Sequence, residues 1–354
     1  LAGHDTYRHV RGVFTVSEQE PLLVKGKRDA LRTYVIEGVR QRAFHLPGRD
    51  IEGVEARMVG RDDEFTRLTD ALQRTVESSQ AQLVAITGEA GTGKSRLAFE
   101  FEDWLRIRSG DVRLFNGRST RERAQVPYAL LRDLLFERFE ITDDEPAEVA
   151  LARITVGLRS LNGDLDAADA RVVAHLVGLG AGLPTIDATE LADRGAEVIG
   201  RLLVGAAADM PVVVMLEDLH WADRSSLELA RRAFGVARSS PVVVVAVSRP
   251  TDPPIGEILG SVFDSIDTIE VPPLTDEATA DLVHEILQRV ESVPVTLTDE
   301  IVRAASGHPY FVEELIRMLI DDGAVVVDGD EWRIAPEPIE LRAIPTTVSG
   351  VAQA

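Results

Sequence analysis

Gly88-Glu89-Ala90-Gly91-Thr92-Gly93-Lys94-Ser95 is the stretch on which the reading of this chain turns. It fits the pattern G-x-x-x-x-G-K-[ST], in which glycines let the backbone wrap its N–H groups round an oxyanion without Cβ clashes. Upstream, the apolar run Leu83 to Thr87 reads as a strand. Downstream, Arg96 to Arg108 places Leu97, Phe101, Trp104 and Leu105 on one side of a helix. A strand, a glycine loop and a helix start in that order aim unpaired N–H groups and the positive end of the helix dipole at a phosphate. Gly88, Gly91, Thr92 and Gly93 are therefore expected to form the cradle, Lys94 to pair with β- and γ-phosphates, and Ser95 to ligate Mg²⁺. The alternative is a tight glycine turn that binds nothing, which leaves the agreement of loop, strand and helix without a reason.

Working outward, apolar runs alternate with helical segments from Met58 onward. Candidate strands are Gln82 to Thr87, Val112 to Phe115, Val212 to Leu216, Val242 to Val247 and Thr268 to Val271. Four of them lack polar alternation, as strands covered on both faces do, so the expected fold is α/β, a doubly wound parallel sheet with helices on both faces. Residues 127–210 are rich in Ala and Leu, with helical spacing at Leu130, Leu131, Leu134 and Leu135 and again from Leu191 to Val204. After Pro273 helices over Thr275 to Val290, Thr298 to Ala305 and Pro309 to Asp322 predict a helical lid. Asp328-Gly329, between Val325 to Val327 and Trp332 to Ile334, signals a hairpin. Residues 8–40 read as a small α/β piece: a short helix ending near Gly12, then strands around Phe14 to Val16, Pro21 to Val24 and Thr33 to Val39. The polar stretch Gln41 to Glu55 reads as a linker. The expected division is 1–40, 41–55, 56–273, 274–345 and 346–354.

The run Pro211 to Leu216 ends in Glu217 and Asp218. Carboxylates at a buried strand end are costly unless they meet a cation, and Mg²⁺ beside the glycine loop supplies one. Adjacent strand residues point to opposite faces, so the two acids differ in role. Glu217 is assigned to the magnesium shell and Asp218 to orienting an attacking water, or the two roles are exchanged; a solvated strand end capping the next turn is the bland alternative. Arg249 follows the run Val242 to Val247 and Ser248, where a guanidinium could reach a γ-phosphate and distinguish ATP from ADP; a surface or ion-paired arginine fits the same spacing.

At 354 residues and 45% hydrophobic composition the chain can bury one large domain with one or two satellites. A formal charge of -21 and a pI near 4.8 oppose direct nucleic-acid binding. The lack of cysteine excludes disulfides and thiolate metal sites and fits a reducing, cytoplasmic setting. No histidine pair has H-E-x-x-H spacing. No apolar run approaches the ~20 residues that span a bilayer. With no signal peptide at Leu1, the natural protein is expected to begin further upstream.

With these residues in view, the chain resembles the STAND NTPases, signal-transduction P-loop ATPases related to AAA+ proteins. Glu217-Asp218-Leu219-His220-Trp221-Ala222-Asp223 is similar to the family's acidic-pair, Leu-His-Trp-Ala-Asp signature, with Glu217 where Asp is commoner. Val59-Gly60-Arg61-Asp62-Asp63-Glu64 resembles the segment whose backbone contacts adenine in that family. Ser306-Gly307-His308-Pro309-Tyr310-Phe311 resembles its Gly-x-Pro segment, whose proline lies against the base. The resemblance covers most of residues 56–345 and implies a winged-helix and sensor region beyond, with Ile344 to Val348 as its start. Thr6 to Val39, with Leu23 to Lys27 and Thr33 to Ile36, is similar to the closing segment of class III adenylate and guanylate cyclase domains. The cyclase catalytic aspartates would precede Leu1, so no cyclase activity is expected of these residues.

Three functions follow from that resemblance and the loop chemistry. One is a signalling switch that binds ATP or ADP with Mg²⁺, hydrolyses slowly and regulates an attached cyclase or transcription regulator, with no membrane or direct nucleic-acid partner. Another is an efficient oligomeric ATPase needing a neighbour's arginine, marked by fast, concentration-dependent turnover. The last is a nucleotide-binding platform that keeps ATP intact.

Overall fold

Residues 2–3, 6–7, 14–22, 31–39, 50–51, 54–107, 111–180, 187–328 and 331–335 are described in the computed structural model of the chain. Near the N-terminus β1 (Ala2–Gly3), β2 (Phe14–Leu22) and β3 (Leu31–Val39) form an antiparallel sheet in the order β1-β3-β2. A two-residue hairpin follows, β4 (Asp50–Ile51) with β5 (Val54–Glu55). Next come α1 (Asp62–Ser78), β6 (Gln82–Thr87), α2 (Lys94–Ile107), β7 (Arg113–Arg118) and α3 (Ala129–Arg138). Three helices, α4 (Ala147–Leu161), α5 (Ala167–Leu176) and α6 (Ala188–Ala206), precede β8 (Val212–Glu217). The chain continues through α7 (Arg224–Val236), β9 (Val242–Ser248), α8 (Ile255–Gly260) and β10 (Ser265–Glu270). It ends in α9 (Asp276–Ile286), α10 (Val295–Ala305), α11 (Pro309–Asp321), β11 (Val325–Asp328) and β12 (Glu331–Ile334).

Two compact units result, one from residues 66–87 and 104–270 and the other from the described parts of 1–65, 88–103 and 271–354. In the first, five parallel strands run in the order β10-β6-β9-β8-β7. β8 and β9 are buried at every residue, which is why their sequences are apolar up to the last residue, Glu217 and Ser248. Leu130, Ile154, Leu158, Leu202 and Ala233 from the helices share one buried core with Phe115 and Val214. Each fully buried Leu or Ile contributes about 1.5–3 kcal/mol. Helix starts are set by side chains: Asp166, Asp187 and Asp223 each accept hydrogen bonds from backbone N–H groups one turn in.

The edge strands depart from their sequence-based bounds. β7 runs three residues past Phe115 through Asn116, Gly117 and Arg118, and β10 covers Ser265–Glu270 rather than Thr268 to Val271. Both are bordered by a neighbour on one side only, so pairing extends them into polar residues that hydropathy does not mark.

In the second unit α9, α10, α11 and the β11–β12 hairpin close over Leu274, Val283, Ile301, Val312, Ile316 and Trp332. Ile51 and Val54 join this core, so the end of the stretch read as linker is ordered hairpin. The N-terminal sheet carries a stacked Tyr7–Tyr34 pair, with ring centroids 4.1 Å apart, and the Tyr7 hydroxyl donates to Asp103 Oδ2 at 2.6 Å. Thr6 and Tyr7 are helical, but the rest of the short helix expected before Gly12 lies outside the described residues, as do Leu23, Val24, residues 41–49, the hairpin tip at Gly329 and residues 336–354. Among the described residues no helix is long and apolar enough to cross a membrane.

Candidate nucleotide site

The glycine loop leaves the C-terminal end of β6 at Thr87 and enters α2 at Lys94, so strand, loop and helix follow in the expected order. Gly91 has φ +78, and a Cβ there would stand 3.2 Å from Tyr310 Cβ, so both the backbone and the close approach of α11 require glycine. Lys94 Nζ donates to the Glu89 carbonyl at 2.6 Å, and Thr92 Oγ1 donates to the same oxygen at 3.0 Å. The Thr92 side chain, almost fully buried, thus braces the loop from within. The first turn of α2 carries no acid, so nothing on the helix offsets its positive end.

A cavity of about 270 Å³ opens over this loop. Gly91, Thr92, Gly93, Lys94 and Ser95 form one side, and Met58, Val59, Leu274, Leu282 and Pro309 supply an apolar wall. Of the expected base-side residues, Val59, Arg61 and Pro309 line it and Gly60 does not; of the expected cradle residues, Gly88 does not. The Arg61 guanidinium is buried: it donates to the Thr92 carbonyl at 3.1 Å, to the Pro272 carbonyl and to Glu64 Oε1 at 3.2 Å. Burial pushes its pKa below the ordinary arginine value, with Glu64 opposing the shift. Pro309 is the first residue of α11, where its missing N–H costs nothing. The preceding Gly307 has φ +76, its carbonyl accepts from Leu274 N at 2.7 Å, and a Cβ would fall 2.3 Å from the Leu274 carbonyl oxygen. The Gly-x-Pro segment therefore fixes where the lid helix begins. Sequence reasoning missed Leu274 and Leu282 as lining residues, because in the sequence they are ordinary apolar positions at and after a helix start.

In the sheet unit, Thr87 pairs with Ser248, and Arg118 pairs with Glu217, so these strand ends share the C-terminal edge of the sheet. Glu217 is buried, and its carbonyl accepts from Ser119 N at 3.0 Å. Asp218 turns out of the strand with φ 54, and Arg118 holds its Oδ2 through Nε at 2.9 Å and Nη2 at 2.8 Å. The two acids thus have different surroundings, as alternation along a strand requires. Arg249 is half-buried just beyond β9. Ser248, missed in the sequence, is almost fully buried, and its hydroxyl finds no hydrogen-bond partner among the described residues.

Asp223 has a structural task. Its Oδ1 accepts from Tyr128 N at 2.9 Å and Ser226 N at 2.8 Å, and its Oδ2 from Ala129 N at 3.1 Å and Ser226 Oγ at 2.6 Å. Tyr128, the residue before α3, caps that helix with no side-chain bond of its own, so one carboxylate caps α3 and α7 together.

Among the described residues no group of three or more His, Asp or Glu side chains is placed to hold a metal ion. The Ser95 hydroxyl, in the first turn of α2, is a donor of the kind magnesium takes, with its remaining ligands coming from phosphates and water.

Residues 57–245, more than half of the chain, match the family described as AAA ATPase domain, and residues 275–333 match a domain of unknown function. An uncharacterized protein of Rhizobium meliloti (strain 1021) is 26% identical over 282 residues, which cover 78% of this chain and 26% of that protein. The chain thus spans about a quarter of the length of this curated relative. Among solved structures, a chain of Drosophila ORC bound to DNA is similar with TM-score 0.50 and 13% identity, over 87% of this chain and 65% of that one. The Aeropyrum pernix ORC1 protein in complex with DNA gives TM-score 0.46 and 14% identity, over 82% and 65%. The match covers less than two thirds of either chain, and the likeness to the Drosophila chain is one of fold.

Proposed function

The chain belongs to the AAA ATPase domain family, and from that premise we propose that it is an ATP-binding, slowly hydrolysing switch module. The observation that carries this reading is a single cavity in which the glycine loop, Lys94 and Ser95 share the lining with an apolar wall of Val59, Leu274 and Pro309. Phosphates belong against the loop and the base against the wall. Lys94 pairs with β- and γ-phosphates, and Ser95 and Glu217 are the residues that would hold Mg²⁺. Bound with the nucleotide, that ion neutralises phosphate charge. Asp218 orients the attacking water, or exchanges roles with Glu217, while Arg249 responds to the γ-phosphate.

The Arg118–Asp218 ion pair supports slow turnover, since an acid held by a guanidinium must be released before it can order a water. The Leu219 to Asp223 signature and the Gly307-His308-Pro309 segment favour a STAND-type switch over a motor. ATP and ADP forms then present different surfaces to attached domains, and hydrolysis resets them. The antiparallel sheet of β1, β2 and β3 is compatible with the tail of a class III cyclase domain ahead of a 56–273 ATPase domain and a 274–345 lid, with a sensor region beyond. A cytoplasmic setting and a nucleotide-dependent oligomer complete the reading. DNA binding does not carry over from the ORC structures, because a charge of -21 repels a phosphate backbone.

Single-turnover conversion of labelled ATP tests this. Slow first-order hydrolysis, independent of chain concentration, is expected. Fast, concentration-dependent turnover would replace the switch with an oligomeric motor, and ATP recovered intact after long incubation would leave a non-hydrolysing platform.

A further inference from the structure

Two arginines tie the base side of the cavity to its phosphate side. Arg61 reaches from the head of α1 through Nη2 to the Thr92 carbonyl at 3.1 Å and to the Pro272 carbonyl, while its Nη1 donates to Glu64 Oε1 at 3.2 Å. Arg96, in the first turn of α2, reaches the opposite way. Its Nη2 donates to the Ala56 carbonyl at 2.7 Å, and its guanidinium pairs with Glu55 at 3.6 Å and Glu100 at 2.6 Å. Between the anchor points Ala56 and Arg61 lie Arg57, Met58 and Val59, which line the cavity. The opposite anchors, Thr92 and Arg96, bracket Gly93, Lys94 and Ser95. The wall segment is thus pinned at each end to the loop that it faces.

We propose that Arg61 and Arg96 are positioning residues that set the spacing between base wall and phosphate nest, so that the cavity selects ligands carrying both a base and a phosphate chain. A planar guanidinium suits this task because it spans several fixed acceptors at once, which a lysine ammonium does not. Because the site is prebuilt, a two-part ligand binds without ordering the wall. A ligand that fills only the nest gains nothing from the pins. The inference rests on reading the cavity as a nucleotide site.

Titration calorimetry of the 354-residue chain with MgADP and with magnesium tripolyphosphate separates the two kinds of ligand. Arg61→Met and Arg96→Met are each expected to weaken ADP about tenfold, the worth of the one bond that each makes across the cavity, to Thr92 and to Ala56, and to leave tripolyphosphate within about twofold. Equal weakening of both ligands would overturn the proposal, since general destabilisation or a direct charge contact acts on both; unchanged ADP affinity would overturn it as well. If Arg61→Met does not fold, Arg96→Met, whose guanidinium is more exposed, decides the matter by the same ratio. A parent chain that binds neither ligand would remove the nucleotide reading itself.

Discussion

Replacing Asp223 by alanine should destabilise the sheet unit far more than an ordinary helix cap would. Its carboxylate accepts four hydrogen bonds, from Tyr128 N, Ala129 N, Ser226 N and Ser226 Oγ. Alanine strips the first turns of α3 and α7 together and takes the acceptor from Tyr128 N and Ser226 N, while Ala129 N keeps only its longer bond to the Val126 carbonyl at 3.2 Å. One lost cap costs about 1 kcal/mol, and each orphaned buried donor about 1–3 kcal/mol. The terms overlap because the groups share one pocket, so about 3–5 kcal/mol is expected for the set, against about 5–15 kcal/mol of total stability. Asp223→Asn keeps one acceptor oxygen and should lose about half as much. Urea unfolding followed by far-UV circular dichroism and by tryptophan fluorescence, to which Trp221 two residues away contributes with Trp104 and Trp332, reports both variants. The midpoint should fall with little change in slope, and the thermal midpoint should drop by about 10 °C. A change within about 0.5 kcal/mol for Asp223→Ala would refute the double-cap account.

Other perturbations act nearer the proposed chemistry. Arg118→Met releases Asp218 from a partly exposed ion pair of about 0.2–1 kcal/mol. Single-turnover hydrolysis should then quicken by about two- to fivefold with ATP affinity unchanged, and a slower rate would show that the pair assists the reaction. Gly91→Val forces a β-branched residue into φ +78 with its Cβ 3.2 Å from Tyr310 Cβ. Nucleotide binding should be lost while far-UV dichroism persists, with Gly91→Ala intermediate; full affinity in the valine variant would show that the loop and α11 are not held as described.

Much of the fold was legible because its strands are buried on both faces. The Val-rich runs at 212–216 and 242–247 appear in place, each lengthened by one residue at the polar C-terminal end. The helix at 62–78 escaped because it is strongly charged, with its apolar stripe reduced to Phe65, Leu68, Ala71 and Leu72. The motif residues announced the glycine loop between strand and helix, since glycine spacing and a following helix are local properties. Arg118, Leu274, Leu282 and Arg96 were not legible as site residues, and Arg61 was legible only as part of the segment Val59 to Glu64. Their places depend on which strand lies beside which and on how the chain returns after residue 270, which no local pattern encodes. Asp223 was visible only as the end of a signature, and its partners lie 95 and 94 residues earlier in the chain.

The central claim is that Lys94 and its glycine loop hold the phosphates of a nucleotide, and Lys94→Ala tests it most directly. The alanine side chain cannot make the charge-assisted bonds assigned to Lys94, so titration with MgATP should give a dissociation constant about 10- to 100-fold weaker than that of the parent, with unfolding unchanged. Equal affinity in parent and variant would contradict the phosphate assignment and everything built on it.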